Sequence, residues 1–216
     1  RPPSMSVGLE LIGISLCILG WVIAVVACAL PMWRVTAFIG SNIVIAQIIW
    51  EGLWMTCVVQ STGQMQCKLH DSVLALAQDL QTARALTVIS AVLGVVALTV
   101  TVTGAQCTTC VQDETTKARV VRAGGVIYVL SGIFVLVPLF WIANNIIVDF
   151  HDPHVPPSKK REIGAAIYIG WAAAALLLLG GTLLCCSVWV RGASSIQYGP
   201  TKMITAHGEL DKKQYV

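Results

Sequence analysis

The sequence predicts a membrane protein: an all-α four-helix transmembrane bundle carrying a small extracellular antiparallel β-sheet. Three observations lead there. Of the 216 residues, 56% are hydrophobic and only 12% charged, whereas soluble domains carry about 25% charged residues. The charges cluster, leaving uncharged stretches at residues 11–30, 85–105, 123–148 (its apolar part ending near Ala143) and 163–190. Each reaches the roughly 20 residues that cross a ~30 Å hydrocarbon core at about 1.5 Å per residue. Finally, residues 33–67 hold Trp33, Trp50, Trp54, Cys57 and Cys67, too much apolar mass for a loose connector.

Residues 1–10 form a short cytosolic start, and Met5 is a candidate natural start that would leave Arg1–Ser4 as an appended remnant. The first span, 11–30, is too long for a cleaved signal peptide and lacks its basic start and small-residue cleavage pattern. Gly8, Gly13, Gly20, Ser15 and Cys17 give it a face of small residues suited to close helix packing. Trp21 and Trp33 suit an interface or a packed loop.

Residues 31–84 make the first outer loop. Segments 34–39, 43–49, 54–60 and 64–69 alternate as strands should, predicting about four in one antiparallel sheet. Gln60-Ser61-Thr62-Gly63-Gln64 reads as a hairpin turn, with Gly63 free to take positive φ. A Cys57–Cys67 disulfide across that hairpin would staple a sheet too small to hold itself together. Residues 72–84 read as helical. Arg84 then has two readings: an arginine snorkelling at the interface, or an ion pair with a loop carboxylate such as Asp79.

After the second span, 85–105, comes a mixed-charge cytosolic loop at 106–122. Pro138 should kink the third span, 123–143, because its missing N–H interrupts the ladder. The second outer loop, 144–162, bends at Asp152-Pro153-His154-Val155-Pro156-Pro157. The fourth span, 163–190, leads to a polar cytosolic tail, 191–216. With both termini cytosolic, Lys and Arg divide eight inside and six outside, a weak bias. The Cys57/Cys67 pair suits an oxidising exterior and sets the orientation better.

The composition excludes several functions. The net charge of +3 comes without a basic patch interleaved with aromatics, so no nucleic acid is expected. The spans lack ionisable groups except at their ends, which argues against a transporter or an intramembrane enzyme. Asp149, His151, Asp152 and His154 could chemically hold a metal, but they flank a proline bend with no distant ligands to complete a shell. No cofactor or metal site is assigned, and a polar loop is the favoured reading. Cys107 and Cys110 have C-x-x-C spacing that zinc or redox chemistry could use. Their position beyond a span, like that of Cys185 and Cys186, favours S-acylation and hence contact with membrane lipid. The terminal Tyr215-Val216, on a flexible tail with a free carboxylate, suits strand addition in the groove of a PDZ scaffold protein.

Trp33, Gly52-Leu53-Trp54, Cys57 and Cys67 together resemble the signature of the claudins, the four-span proteins of tight junctions. The similarity runs from the first span to the Tyr-Val tail, and the stretch between Trp50 and Lys68 resembles the subgroup of claudins 3, 4, 6 and 9. The resemblance implies a left-handed bundle at the plasma membrane that polymerises with itself and other claudins, both side by side and across the intercellular gap. It also implies that the first loop lines the paracellular path. Cation-conducting relatives carry an acid where this chain has the neutral Gln60, and Lys68 follows the second cysteine. A cation ~8 Å from an ammonium is repelled by about 0.5 kcal/mol in water and roughly 2 kcal/mol at an effective dielectric of 20. A sealing or weakly cation-repelling barrier is therefore expected, with Arg34 adding to the field and Glu51 and Asp71 offsetting it. The plainer reading of Lys68 is a solvated surface lysine.

Lateral assembly in the family seats a first-loop residue, here Val73, in a neighbour's pocket, here Phe150, His151 and Ile163. Valine and histidine bury less apolar area than the larger groups of relatives, implying weaker, pH-sensitive strands. Several relatives bind a clostridial enterotoxin through an Asn-Pro-Leu-Val-like motif. Here Asp152, Pro153, His154 and Val155 stand in its place, and loss of the leucine costs ~1.5–3 kcal/mol, so weakened toxin binding is expected. The alternative function is a claudin-like accessory or adhesion protein outside junction strands.

Overall fold

The computed structural model describes residues 3–39, 46–60, 62–72, 74, 76–105, 113–156 and 160–196. Four helices, α1 (Pro3–Ala29), α2 (Gln78–Gly104), α3 (Glu114–His151) and α4 (Ala165–Ile196), are accompanied by five short strands. All four helices are long and apolar enough to cross a membrane, over Val7–Ala29, Gln78–Gly104, Thr115–His151 and Ala165–Trp189. α1 packs on α4, α4 on α3 and α3 on α2, and the α1–α2 contact closes the ring more lightly.

Small residues set these contacts. Gly13 and Gly20 of α1 lie against the backbone of α4 at Gly180 and Ala173, with Cys17 fully buried beside them. Ser15, by contrast, is exposed and donates to its own helix at Leu11 O, 2.8 Å. Trp21 fills the space that Gly94 leaves on α2 and donates its indole N–H to Ala91 O at 3.0 Å. Between α2 and α3, the buried Ser90 and Ser131 each donate to the other's carbonyl, at 2.9 and 3.0 Å. In hydrocarbon such reciprocal bonds hold two helices in register, because an unmet hydroxyl there finds no water.

α3 has 38 residues, about 57 Å at 1.5 Å per residue, so it projects well beyond the apolar layer. Pro138 lies buried within it and the helix continues on both sides. At its start, Asp113 caps the chain by accepting from Thr115 N–H at 3.4 Å and from the Thr115 and Thr116 hydroxyls at 2.7 and 2.6 Å. Those bonds hold the Asp113 carboxyl down at about 2.

The sheet orders its strands β4-β3-β2-β1-β5, all antiparallel. These are β1 (Arg34–Ile39), β2 (Ala46–Glu51), β3 (Met55–Val59), β4 (Met65–Leu69) and β5 (Arg161–Ile163). Five strands replace the expected four, because the second loop returns to the sheet and Ile163 pairs with Arg34 on β1. A run as short as Arg-Glu-Ile, abutting an apolar span, carries no alternation of its own. The helix expected from residue 72 begins instead at Gln78, with Leu74 in a single 3₁₀ turn. The β3–β4 turn forms as expected: Gly63 has φ 77° and its N–H donates to Gln60 O at 2.9 Å.

Candidate functional site

The tryptophan-rich motif is a mounting for the sheet. Trp33 is 1% exposed and donates its indole N–H to Ala27 O in α1 at 2.9 Å. Its backbone N–H donates to Glu51 O at 3.0 Å, and its carbonyl accepts from Gly164 at 3.1 Å. One residue thus ties α1, β2 and the approach to α4. Gly164 is required there, because a Cβ would overlap the Met32 carbonyl. Gly52 likewise lies so close to Pro31 that a Cβ would overlap its Cα. Leu53 is fully buried in the same core, and Trp54 lies under the Arg84 guanidinium, 3.9 Å from the ring centroid.

That stacking replaces the expected pairing of Arg84 with Asp79 and is compatible with an arginine at the interface. The partner of Asp79 is Arg34, whose Nη2 contacts Asp79 Oδ2. Asn145 of α3 donates to the same oxygen at 3.5 Å. Asp79 therefore joins α2 to β1 through Arg34 and to α3 through Asn145. Arg34 is 1% exposed, and burial, reinforced by Arg161, pulls its guanidinium down to about 10, leaving it cationic at neutral pH. The expectation that Arg34 adds to the field over the sheet fails, since its charge is buried and neutralised.

The hairpin carries the residues expected at the path. Cys57 and Cys67 face each other in register and form the disulfide. Cys57 is fully buried, whereas every residue of β4 is exposed. Gln60 is exposed at the turn. Lys68, opposite Thr56, is 79% exposed and pairs with Asp71 at 2.9 Å. That hydrogen bond raises the Lys68 ammonium and lowers the Asp71 carboxyl from their usual values.

In the second loop, Phe150 and His151 end α3 and meet edge to face, 5.8 Å between centroids. Lys160 donates to Phe150 O at 2.8 Å and lies 5.0 Å over its ring, satisfying a carbonyl that the helix end leaves open. Ile163 lies across on β5, which packs against α3. Asp152 Oδ1 accepts the His154 N–H at 2.9 Å and contacts its Nδ1 at 3.0 Å, and both contacts lower the Asp152 carboxyl. The Val155 N–H closes the turn over Pro153 by donating to Asp152 O at 3.3 Å. His151 Nδ1 meets Ile147 O at 2.8 Å, so His151 and His154 engage different partners. Cys185 is half-buried and Cys186 exposed on α4. Val73, Cys107, Cys110, Tyr215 and Val216 lie outside the described residues.

The bridge of Arg34, Asp79 and Asn145 was not legible in the sequence. The one available signal was an arginine directly after Trp33, placed where the chain leaves the bundle.

The family model for the PMP-22/EMP/MP20/Claudin family matches residues 7–184. Claudin-3 of Homo sapiens is 62% identical over 220 residues, covering 98% of this chain and 100% of that protein. Claudin-5 of Homo sapiens is 55% identical over 216 residues, covering 98% and 99%. Claudin-4 of Canis lupus familiaris is 60% identical over 182 residues, covering 84% and 87%.

Proposed function

The chain belongs to the PMP-22/EMP/MP20/Claudin family, a multi-pass tight-junction protein and not an enzyme, and from that premise we propose that it polymerises into strands forming a sealing or weakly cation-repelling paracellular barrier. The observation that carries this reading is the disulfide-stapled sheet fixed to the bundle through Trp33 and Arg34. A permeation wall must hold its shape against solvent, and this one is anchored to three of the four helices. The disulfide supports placing the sheet outside the cell and both termini in the cytosol.

On this reading Gln60 and Lys68 border the path. Asp71 offsets part of the Lys68 field, consistent with weak rather than strong exclusion of cations. Val73 seats in a neighbour's pocket formed by Phe150, His151 and Ile163. Tyr215-Val216 engages a PDZ scaffold, and acyl chains on Cys107, Cys110, Cys185 and Cys186 anchor the cytosolic face in lipid. The Asp152–His154 turn presents a carboxylate and an imidazole where toxin-binding relatives offer an amide and a leucine, so enterotoxin binding is weakened. A nanomolar dissociation constant in direct titration would contradict this last point.

The test is a dilution potential across an epithelial monolayer with and without the protein, alongside Lys68→Asp. The protein should raise resistance and lower sodium relative to chloride permeability. The substitution should reverse the second effect by about twofold or more. No change in either quantity, with the protein at the surface, would favour an accessory role outside strands.

A further inference from the structure

The lipid-facing side of α3 ends in charge. Val126, Leu130, Ile133 and Val137 are exposed at the three- and four-residue steps that mark one helix face. The same steps, continued toward the end of α3 away from the sheet, reach Arg122 and then Arg119, both exposed. Among the described residues, neither guanidinium is held in an ion pair. Both therefore aim where the apolar stripe aims, at lipid.

Their depth fits that target. Residues 123–143 measure about 30 Å at 1.5 Å per residue, one hydrocarbon thickness, so Ala123 marks an edge of that layer. Arg122 and Arg119 stand one and four residues before Ala123, about 1.5 and 6 Å outside it. Headgroups extend roughly 5–8 Å beyond the hydrocarbon, and an arginine at the boundary reaches outward into them. The neighbouring helix agrees. Cys185 of α4 donates to the Arg122 carbonyl at 3.9 Å, so Trp189, one turn on, lies about 6 Å further out, close to the level of Arg119. Trp189 is 75% exposed, as an indole at headgroup level should be.

The carboxylates of this end are withdrawn from the lipid. Glu10 of α1 is 2% exposed. Asp113 and Glu114 precede Arg122 by eight residues or more, about 12 Å or more further out, and Asp113 is engaged by the Thr115 and Thr116 hydroxyls. A headgroup beside α3 thus meets two guanidiniums and no exposed carboxylate at their level. Guanidiniums bind phosphate oxygens with paired, charge-assisted hydrogen bonds. A zwitterionic headgroup offers its phosphate together with an ammonium and nets to zero, whereas an anionic one keeps a net attraction.

We propose that the α3–α4 seam at this end holds the headgroup of an anionic phospholipid, with Arg119 and Arg122 on its phosphate. Placing that lipid in the cytosolic leaflet rests on the orientation proposed above; the binding itself does not. Phosphatidylserine and phosphatidylinositol share the net negative charge, and phosphatidylcholine lacks it.

The purified full chain in detergent, offered equal amounts of these three lipids with matched chains, gives the test by native mass spectrometry. Both anionic lipids should be retained over phosphatidylcholine by about five- to thirtyfold, the range for one or two basic residues at a membrane surface. Arg119→Gln with Arg122→Gln should bring that ratio close to one, and Arg119→Lys with Arg122→Lys should keep most of it. All variants should melt together, since neither side chain is held in an ion pair. Equal retention of the three lipids, or a preference that survives the double glutamine substitution, would overturn the proposal. Retention of only one anionic lipid would overturn it too, since the site would then read headgroup shape and not charge. No junction enters this assay, so its failure and that of the barrier reading are separate outcomes.

Discussion

At the residue scale, the Arg34–Asp79 pair holds an arginine that is 1% exposed against a carboxylate that is 17% exposed. A buried ion pair adds little net stability over an apolar alternative, but removing one partner strands the other charge and costs about 3–5 kcal/mol. Arg34→Met or Asp79→Asn should therefore lower the unfolding midpoint in detergent sharply, while Arg34→Met combined with Asp79→Leu recovers much of the loss. Single variants that melt like the parent would contradict the bridging role. Lys68 and Asp71 pair in the open, where solvent and salt screen them. Their substitution should leave the midpoint unmoved and act on permeation alone. These cases also mark the limit of sequence reading. The exposed lysine after Cys67 could be read directly, whereas the fate of Arg34 depends on where a helix more than forty positions later comes to lie.

At the element scale, the sheet is short and owes its persistence to its attachments. The Cys57–Cys67 bridge closes a loop of sequence separation 10, worth about 3 kcal/mol in the chain-entropy account. Cys57→Ser with Cys67→Ser should therefore reduce surface delivery and accelerate proteolysis between β3 and β4, while the helices stay folded. Gly164→Ala tests the opposite edge, where a methyl group would overlap the Met32 carbonyl. Overpacking there should cost about 1–3 kcal/mol and loosen β5 from β1, seen as faster amide exchange at residues 161–163. Unchanged exchange would contradict the tight join. The helices were legible because twenty apolar residues in lipid can satisfy their backbone only as a helix. Strand β5 was not, because its three residues gain regular structure only by pairing with β1.

At the scale of the whole molecule, a four-helix bundle holds a rigid sheet at one end, and both loops contribute to that sheet. Residues assigned to the path lie on the β3–β4 hairpin, and of those assigned to lateral contact Phe150 and His151 end α3 while Ile163 lies on β5. The proposed barrier role requires that this chain build strands by itself. Freeze-fracture of cells without endogenous strands, expressing this protein at their surface, tests it most directly. Continuous intramembrane strands at cell contacts are the predicted result. Smooth contact membranes, despite confirmed surface delivery, would contradict the account.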